Sequence, residues 1–194
     1  MSSESLRSSE LLRRASSRLL IVDVQDKLIV TLADGIRERL IKTCRFVAEG
    51  ARLLGVPTAI TEQYPQGLGS TVAGLLEFDP RRPAKKRFSC VECLGWPAAA
   101  EADDDRFQIV VAGMETHVCV LQTVLDLLSV GYQVYVVADA VASRREIDQR
   151  IALERMAGSG AILTTAEGVL FEWAETADVA EFKQLSGLVK ARGI

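Results

Sequence analysis

Val-Val-Ala-Gly-Met-Glu-Thr-His-Val-Cys-Val-Leu-Gln-Thr, residues 110–123, passes from an unbroken apolar run into a helical pattern. The run belongs to a strand read as Phe107–Gly113, and the apolar spacing of Val118–Val130 predicts the helix that follows. A strand without polar alternation is buried on both faces, which marks a parallel sheet held between helical layers. The junction puts Cys119 at the start of a helix. Backbone N–H groups there lack intrahelical partners and the dipole end is positive, so a thiolate is favoured and an oxyanion beside it finds donors.

The same alternation extends in both directions. Leu19–Val24, Val56–Thr61, Ala84–Ser89, Gln133–Ala138 and Ala161–Thr164 read as further strands, and Ile36–Leu54, Pro97–Glu101, Ile147–Ala157, Ala166–Trp173 and Val179–Val189 as further helices. Glu62–Pro83, rich in Gly, Pro and polar residues, reads as a long loop with one helical turn. The expected architecture is a three-layer α/β domain over residues 18–194. It has a mostly parallel six-stranded sheet in the order 3-2-1-4-5-6 with right-handed crossovers. Residues 1–17, dominated by Ser and Arg, read as a flexible N-terminal tail. Within them Arg-Arg-Ala-Ser (13–16) has the look of a basophilic kinase site.

With 194 residues, 48% of them hydrophobic, the chain suits one buried core better than two. A net charge of −3 argues against nucleic acid or an anionic membrane as partner. No apolar stretch approaches the roughly 20 residues that span a bilayer. A cytoplasmic location is expected, with a mitochondrial transit peptide the weaker alternative because Glu4 and Glu10 interrupt the leader. The four cysteines, Cys44, Cys90, Cys93 and Cys119, are then free thiols. Cys90 and Cys93 form a lone C-x-x-C without the second ligand pair that a zinc site needs. No G-x-G-x-x-G follows the first strand, so no dinucleotide cofactor is expected.

Ligands of open parallel sheets bind beyond the carboxyl ends of the strands, where strand order reverses. Asp23 lies in the last part of the first strand, Lys85 lies in the third and Cys119 follows the fourth. An acid, a lysine and a cysteine gathered there suit nucleophilic catalysis: the acid takes the thiol proton, the ammonium adds positive charge, and the sulfur attacks a carbonyl.

Val-Asp-Val-Gln (22–25), Lys-Lys-Arg-Phe-Ser (85–89) and Gly-Met-Glu-Thr-His-Val-Cys-Val (113–120) together resemble the isochorismatase-like cysteine hydrolases. The resemblance runs from Leu19 to about Lys190. It is nearest the isochorismatase-domain-containing subgroup, through Thr-Glu-Gln-Tyr-Pro-Gln-Gly-Leu-Gly (61–69), Ala-Leu-Glu-Arg-Met (152–156) and Leu-Thr-Thr-Ala-Glu-Gly (163–168). It implies Asp23, Lys85 and Cys119 as the catalytic residues. Lys85 is preferred to Lys86 because the family lysine stands three residues before the aromatic, here Phe88. It further implies a cis peptide at Met114–Glu115, an oxyanion hole from the backbone N–H groups of Glu115 and Cys119, and a homo-oligomer. Phe171, Trp173, Phe182, Leu185 and Leu188 supply such an interface or pack on the domain itself.

Metal-dependent nicotinamidases of this family use an Asp and two His, whereas this chain has one histidine, His117, so no metal is expected. True isochorismatases lack the cysteine. The reading is therefore a metal-independent cysteine hydrolase cleaving a C–N bond of a small amide or ureide through a thioester. The alternative is a non-catalytic binding or assembly protein on the same fold. Gln25, Tyr64 and Phe88, beside the motifs, are the candidate substrate-binding residues, and His117 reads as an orienting or packing residue.

Overall fold

The structure is a computed structural model that describes residues 7–192. Its elements are β1 (Ser17–Val22), α1 (Asp26–Ile29), α2 (Asp34–Leu53), β2 (Thr58–Ile60), β3 (Glu62–Gln63), α3 (Pro65–Leu68), β4 (Ala84–Lys85) and α4 (Val91–Leu94). There follow β5 (Gln108–Met114), α5 (Leu121–Ser129), β6 (Gln133–Ala142), α6 (Glu146–Gly158), β7 (Ile162–Thr164), α7 (Ala166–Ala174) and α8 (Phe182–Ala191). A π-type turn, Thr116–Val120, joins β5 to α5, and 3-10 turns occupy Ala73–Phe78 and Ala99–Glu101.

The sheet is parallel and has layers on both sides, as expected, but it has five strands rather than six, in the order β2-β1-β5-β6-β7. The expected third strand shrinks to β4 and leaves the main sheet to pair with β3. Its segment carries four cations, Lys85, Lys86, Arg87 and the nearby Arg82, and only two of its residues meet ladder geometry. Alternation along the strands sends Leu19, Ile21, Val110 and Ala112 into one core with α2, α7 and α8. Leu20, Val22, Ile109 and Val111 enter the other core, with α5 and α6. This division of one strand between two cores explains the unbroken apolar runs.

The register matters most between β1 and β5, where Val22 lies opposite Gly113. A Cβ on Gly113 would sit 2.1 Å from the Val22 carbonyl oxygen, and its φ is 117°. Only glycine permits that approach. It seats the end of β1, and with it Asp23, directly beside the turn that carries Cys119.

The expectation of a flexible tail over residues 1–17 needs correcting from Arg7 onward; residues 1–6 lie outside the described residues. Leu12 is fully buried in the α2-side core. Arg7 donates to the carbonyls of Leu12 (3.0 Å) and Glu172 (2.6 Å), Tyr135 donates to the Glu10 carbonyl (2.6 Å), and Gln108 accepts from the Arg13 amide (2.8 Å). These residues strap the amino ends of the strands to α7, contacts no local pattern announces. Ser17 is already the first residue of β1. The C-terminal apolar residues mostly pack on the domain itself: Trp173 and Leu185 are buried, Phe182 and Leu188 line the core, and only Phe171 is exposed.

Candidate active site

Asp23 is the first residue after β1 and takes a left-handed conformation, φ 51°, which Asp tolerates better than most residues. Its amide donates to the Thr61 carbonyl (3.2 Å), so the ends of β1 and β2 stay joined beyond their ladder. Non-glycine residues in this conformation concentrate at functional sites, where packing holds them in place. The side chain is fully buried.

Lys85 comes from β4 and is also buried, whereas Lys86 is exposed. Strand alternation thus turns one lysine in and the other out. The Lys85 ammonium donates to Asp23 Oδ2 (2.6 Å), Gln63 Oε1 (2.7 Å) and the Phe88 carbonyl (2.8 Å). All three of its N–H bonds are committed. Burial by itself would weaken its hold on the proton, but its acidic neighbours, of which Asp23 rather than the Cys90 or Cys119 thiol carries the charge at neutral pH, outweigh that and raise its pKa above the ordinary lysine value.

Cys119 sits in the π-type turn, 4% exposed, with Asp23 beside its thiol. The peptide between Met114 and Glu115 is cis, and the Glu115 carbonyl accepts from the amides of Val118 (3.0 Å) and Val120 (3.2 Å). The Glu115 carboxylate turns away to Arg144 at 2.8 Å. One sequence expectation changes here. Burial first, then the Asp23 charge, push the Cys119 thiol well above its ordinary value, and Lys85 opposes them without prevailing. The lysine is spent on Asp23, so the surroundings of the sulfur favour the thiol over a preformed thiolate.

Gln25, expected in the substrate pocket, is instead a loop tie. Its amide nitrogen donates to the carbonyls of Gln63 (3.1 Å) and Gly69 (2.6 Å), and its oxygen accepts from the Gln63 amide (2.7 Å). It is fully buried, and both its amide hydrogens and one acceptor site of its oxygen are taken up by backbone groups. Tyr64 and Phe88 are both about half exposed, at 48% and 49%, and the Phe88 carbonyl rather than its ring holds Lys85. A cavity of about 340 Å³ lies against Lys85, lined also by Lys86, Arg87, Ser89, Glu92 and Cys93. His117 hydrogen-bonds Ser143 through Nδ1 (3.0 Å), as an orienting residue would.

Two residues of the cluster escaped the sequence reading. Thr61 donates to Asp23 Oδ1 (2.8 Å), and Gln63 grips Lys85 while donating to the Lys86 carbonyl (2.8 Å). The available signal was position: both follow the second strand at the same sheet edge as Asp23.

The buried thiols should make stability fall at alkaline pH. Burial raises Cys44 and Cys90 from 9.0 to about 12. Groups that hold protons more tightly when folded stabilise fully below their unfolded value, and that contribution is lost as pH rises. Unfolding free energy should therefore fall between pH 9 and 12, by about 1.4 kcal/mol per pH unit for each such thiol. Urea midpoints at pH 7, 9 and 10.5 check this; Cys44→Ala should make the decline shallower.

Residues 17–168 match the isochorismatase domain family. Isochorismatase domain-containing protein 2 of Bos taurus is 41% identical over 186 residues, spanning 90% of this chain and 83% of the relative. Among solved structures, the MAR1 ribonuclease of Caenorhabditis elegans superposes with a TM-score of 0.82 at 36% identity, covering 93% of this chain and 92% of that one. The Escherichia coli YcaC product, described as an octameric hydrolase of unknown specificity, shares the fold at a TM-score of 0.77 and 24% identity, over 96% and 94% of the two chains. With that span matched and that identity to its relatives, the chain belongs to the isochorismatase domain family of hydrolases.

Proposed function

We propose that this protein is a metal-independent cysteine hydrolase that cleaves the C–N bond of a small amide or ureide, with Cys119 as nucleophile, Asp23 as proton carrier and Lys85 as the group that pairs with Asp23 and orients it. The observation that carries the reading is the buried cluster itself: Lys85 lies 2.6 Å from Asp23, and Asp23 adjoins the Cys119 thiol. Burying an ammonium and a carboxylate costs several kcal/mol before their attraction is counted, an expense that an inert core has no reason to carry.

The chemistry follows from the protonation states. Asp23 accepts the thiol proton as the sulfur attacks the substrate carbonyl, so the thiolate exists only when an electrophile is present. Negative charge then grows on the carbonyl oxygen, toward the backbone N–H groups of Glu115 and Cys119. Asp23 returns the proton to the departing nitrogen, the C–N bond breaks and a thioester remains. Water, giving its proton to Asp23, hydrolyses the thioester and the thiol is restored. The single histidine rules out a two-histidine metal site and is itself bonded to Ser143.

One experiment tests the proposal against two other readings. One is ribonuclease action, suggested by the description of the C. elegans neighbour; a net charge of −3 is ill suited to a polyphosphate backbone. The other is a non-catalytic binding or assembly role. Incubation with a panel of carbamoyl, ureido and nicotinamide-like compounds, and separately with an RNA oligonucleotide, should give ammonia or amine release from the amides and intact RNA. RNA cleavage with no amide turnover would replace the proposal, and turnover of neither would favour the non-catalytic role.

A further inference from the structure

We infer that Thr61 is a positioning residue for Asp23, and that Cys90 fixes the direction of the Thr61 hydroxyl, the two forming a buried donor chain that presents the carboxylate to Cys119. This rests on Asp23 being the proton carrier proposed above. Thr61 Oγ1 lies 2.8 Å from Asp23 Oδ1 and 3.2 Å from Cys90 Sγ, and all three residues are fully buried. A hydroxyl has one proton to give. The carboxylate, paired with the Lys85 ammonium, is much the stronger acceptor, so the hydroxyl donates to Asp23. The sulfur must then donate to the hydroxyl oxygen. Cys90 is suited to be a permanent donor, since burial and the Asp23 charge push its thiol up to about 12.

The chain closes on the nucleophile's own helix. The Cys90 amide donates to Thr123 Oγ1 (3.0 Å), and Thr123 stands one helical turn after Cys119. Asp23 is therefore fixed at both oxygens, by Lys85 on Oδ2 and Thr61 on Oδ1, while the element that carries Cys119 anchors the far end of the chain. The charged and titratable groups facing Asp23 are Lys85 from β4, Cys119 from the turn, and Cys90 and Cys93 around α4. A donor removed from one carboxylate oxygen leaves the charged form less favoured.

The experiment is the rate of Cys119 alkylation by iodoacetamide, followed by peptide mapping from pH 5 to 10 in the full-length protein. In Thr61→Val the acid limb of the profile should move up by about one pH unit, and the rate at neutral pH should fall. Thr61→Ser should restore both, and Cys90→Ala should move the limb in the same direction by less. Thr61→Val superimposing on wild type, or Thr61→Ser shifting as far as valine, overturns the inference. If Thr61→Val does not fold, Cys90→Ala decides alone, and an unmoved limb overturns it. Asp23→Asn separates the two levels. It should abolish the limb, and if it leaves the profile unchanged then the proton carrier itself is wrongly assigned.

Discussion

Cys119→Ala should abolish amide turnover, a loss on the order of 10³-fold or more, while leaving stability at neutral pH within about 1–2 kcal/mol of wild type. The loss is large because no neighbour can stand in. Cys90 is locked between Thr61 and Thr123, and Cys93, only half buried, has its thiol turned to the Cys90 carbonyl at 3.2 Å. Lys85→Met separates orientation from nucleophilicity. It should also cost most of the activity, but with lower stability, because the buried Asp23 carboxyl loses the ammonium paired with it and must either carry an uncompensated charge or take up a proton. Ammonia release on a reactive amide, read beside urea midpoints of both variants, checks the pair. Retained turnover in Cys119→Ala would remove the nucleophile from the account.

The second large effect is structural. Gly113→Ala should destabilise the protein by about 4 kcal/mol or more, among the largest single-residue effects expected of this fold. Two causes add: a φ of 117° that a side chain rarely adopts, and a Cβ placed 2.1 Å from the Val22 carbonyl. That carbonyl is backbone in the centre of the sheet and cannot yield without parting β1 from β5. Gly55→Ala is the control, with φ 73° and nothing within 4 Å of its Cβ, at a cost of about 1–2 kcal/mol. Comparable losses in the two variants would mean that the β1–β5 contact is looser than the register implies.

The difference between Gly113 and Gly55 also indicates what the sequence could and could not disclose. The apolar runs of β1, β5 and β6 were readable because strands buried on both faces leave no polar interruption. The helix of α2 was readable from its three- and four-residue apolar steps. From those elements came the sheet edge, and from the edge the gathering of Asp23, Lys85 and Cys119. The β3–β4 pair was not readable, since two-residue strands carry no periodicity and their pairing is set by where the loops fold. Nor was the strap of residues 7–16, whose anchors are Arg7 and Leu12 meeting Glu172 and the core far along the chain.

The polar residues were misjudged in both directions for one reason. Gln25, Thr61 and Gln63 all carry groups that suit a ligand or a neighbour, and type alone does not say which. Gln25 ties loops, while Thr61 and Gln63 hold the carboxylate and the ammonium. The surroundings of Cys119 were only partly legible through the same gap. A helix start argues for a thiolate, but the ion beside the sulfur is Asp23, and Lys85 answers to Asp23 first.

One measurement bears on the whole account: where the acyl group lands when the protein meets 4-nitrophenyl acetate, read by peptide mass mapping after an acid quench. A nucleophile made by proton transfer to a neighbouring carboxylate predicts an acetyl thioester confined to Cys119, formed in wild type and missing in Asp23→Asn. Acetylation of the more accessible Cys93 instead, or of Cys119 at an equal rate in Asp23→Asn, would contradict it.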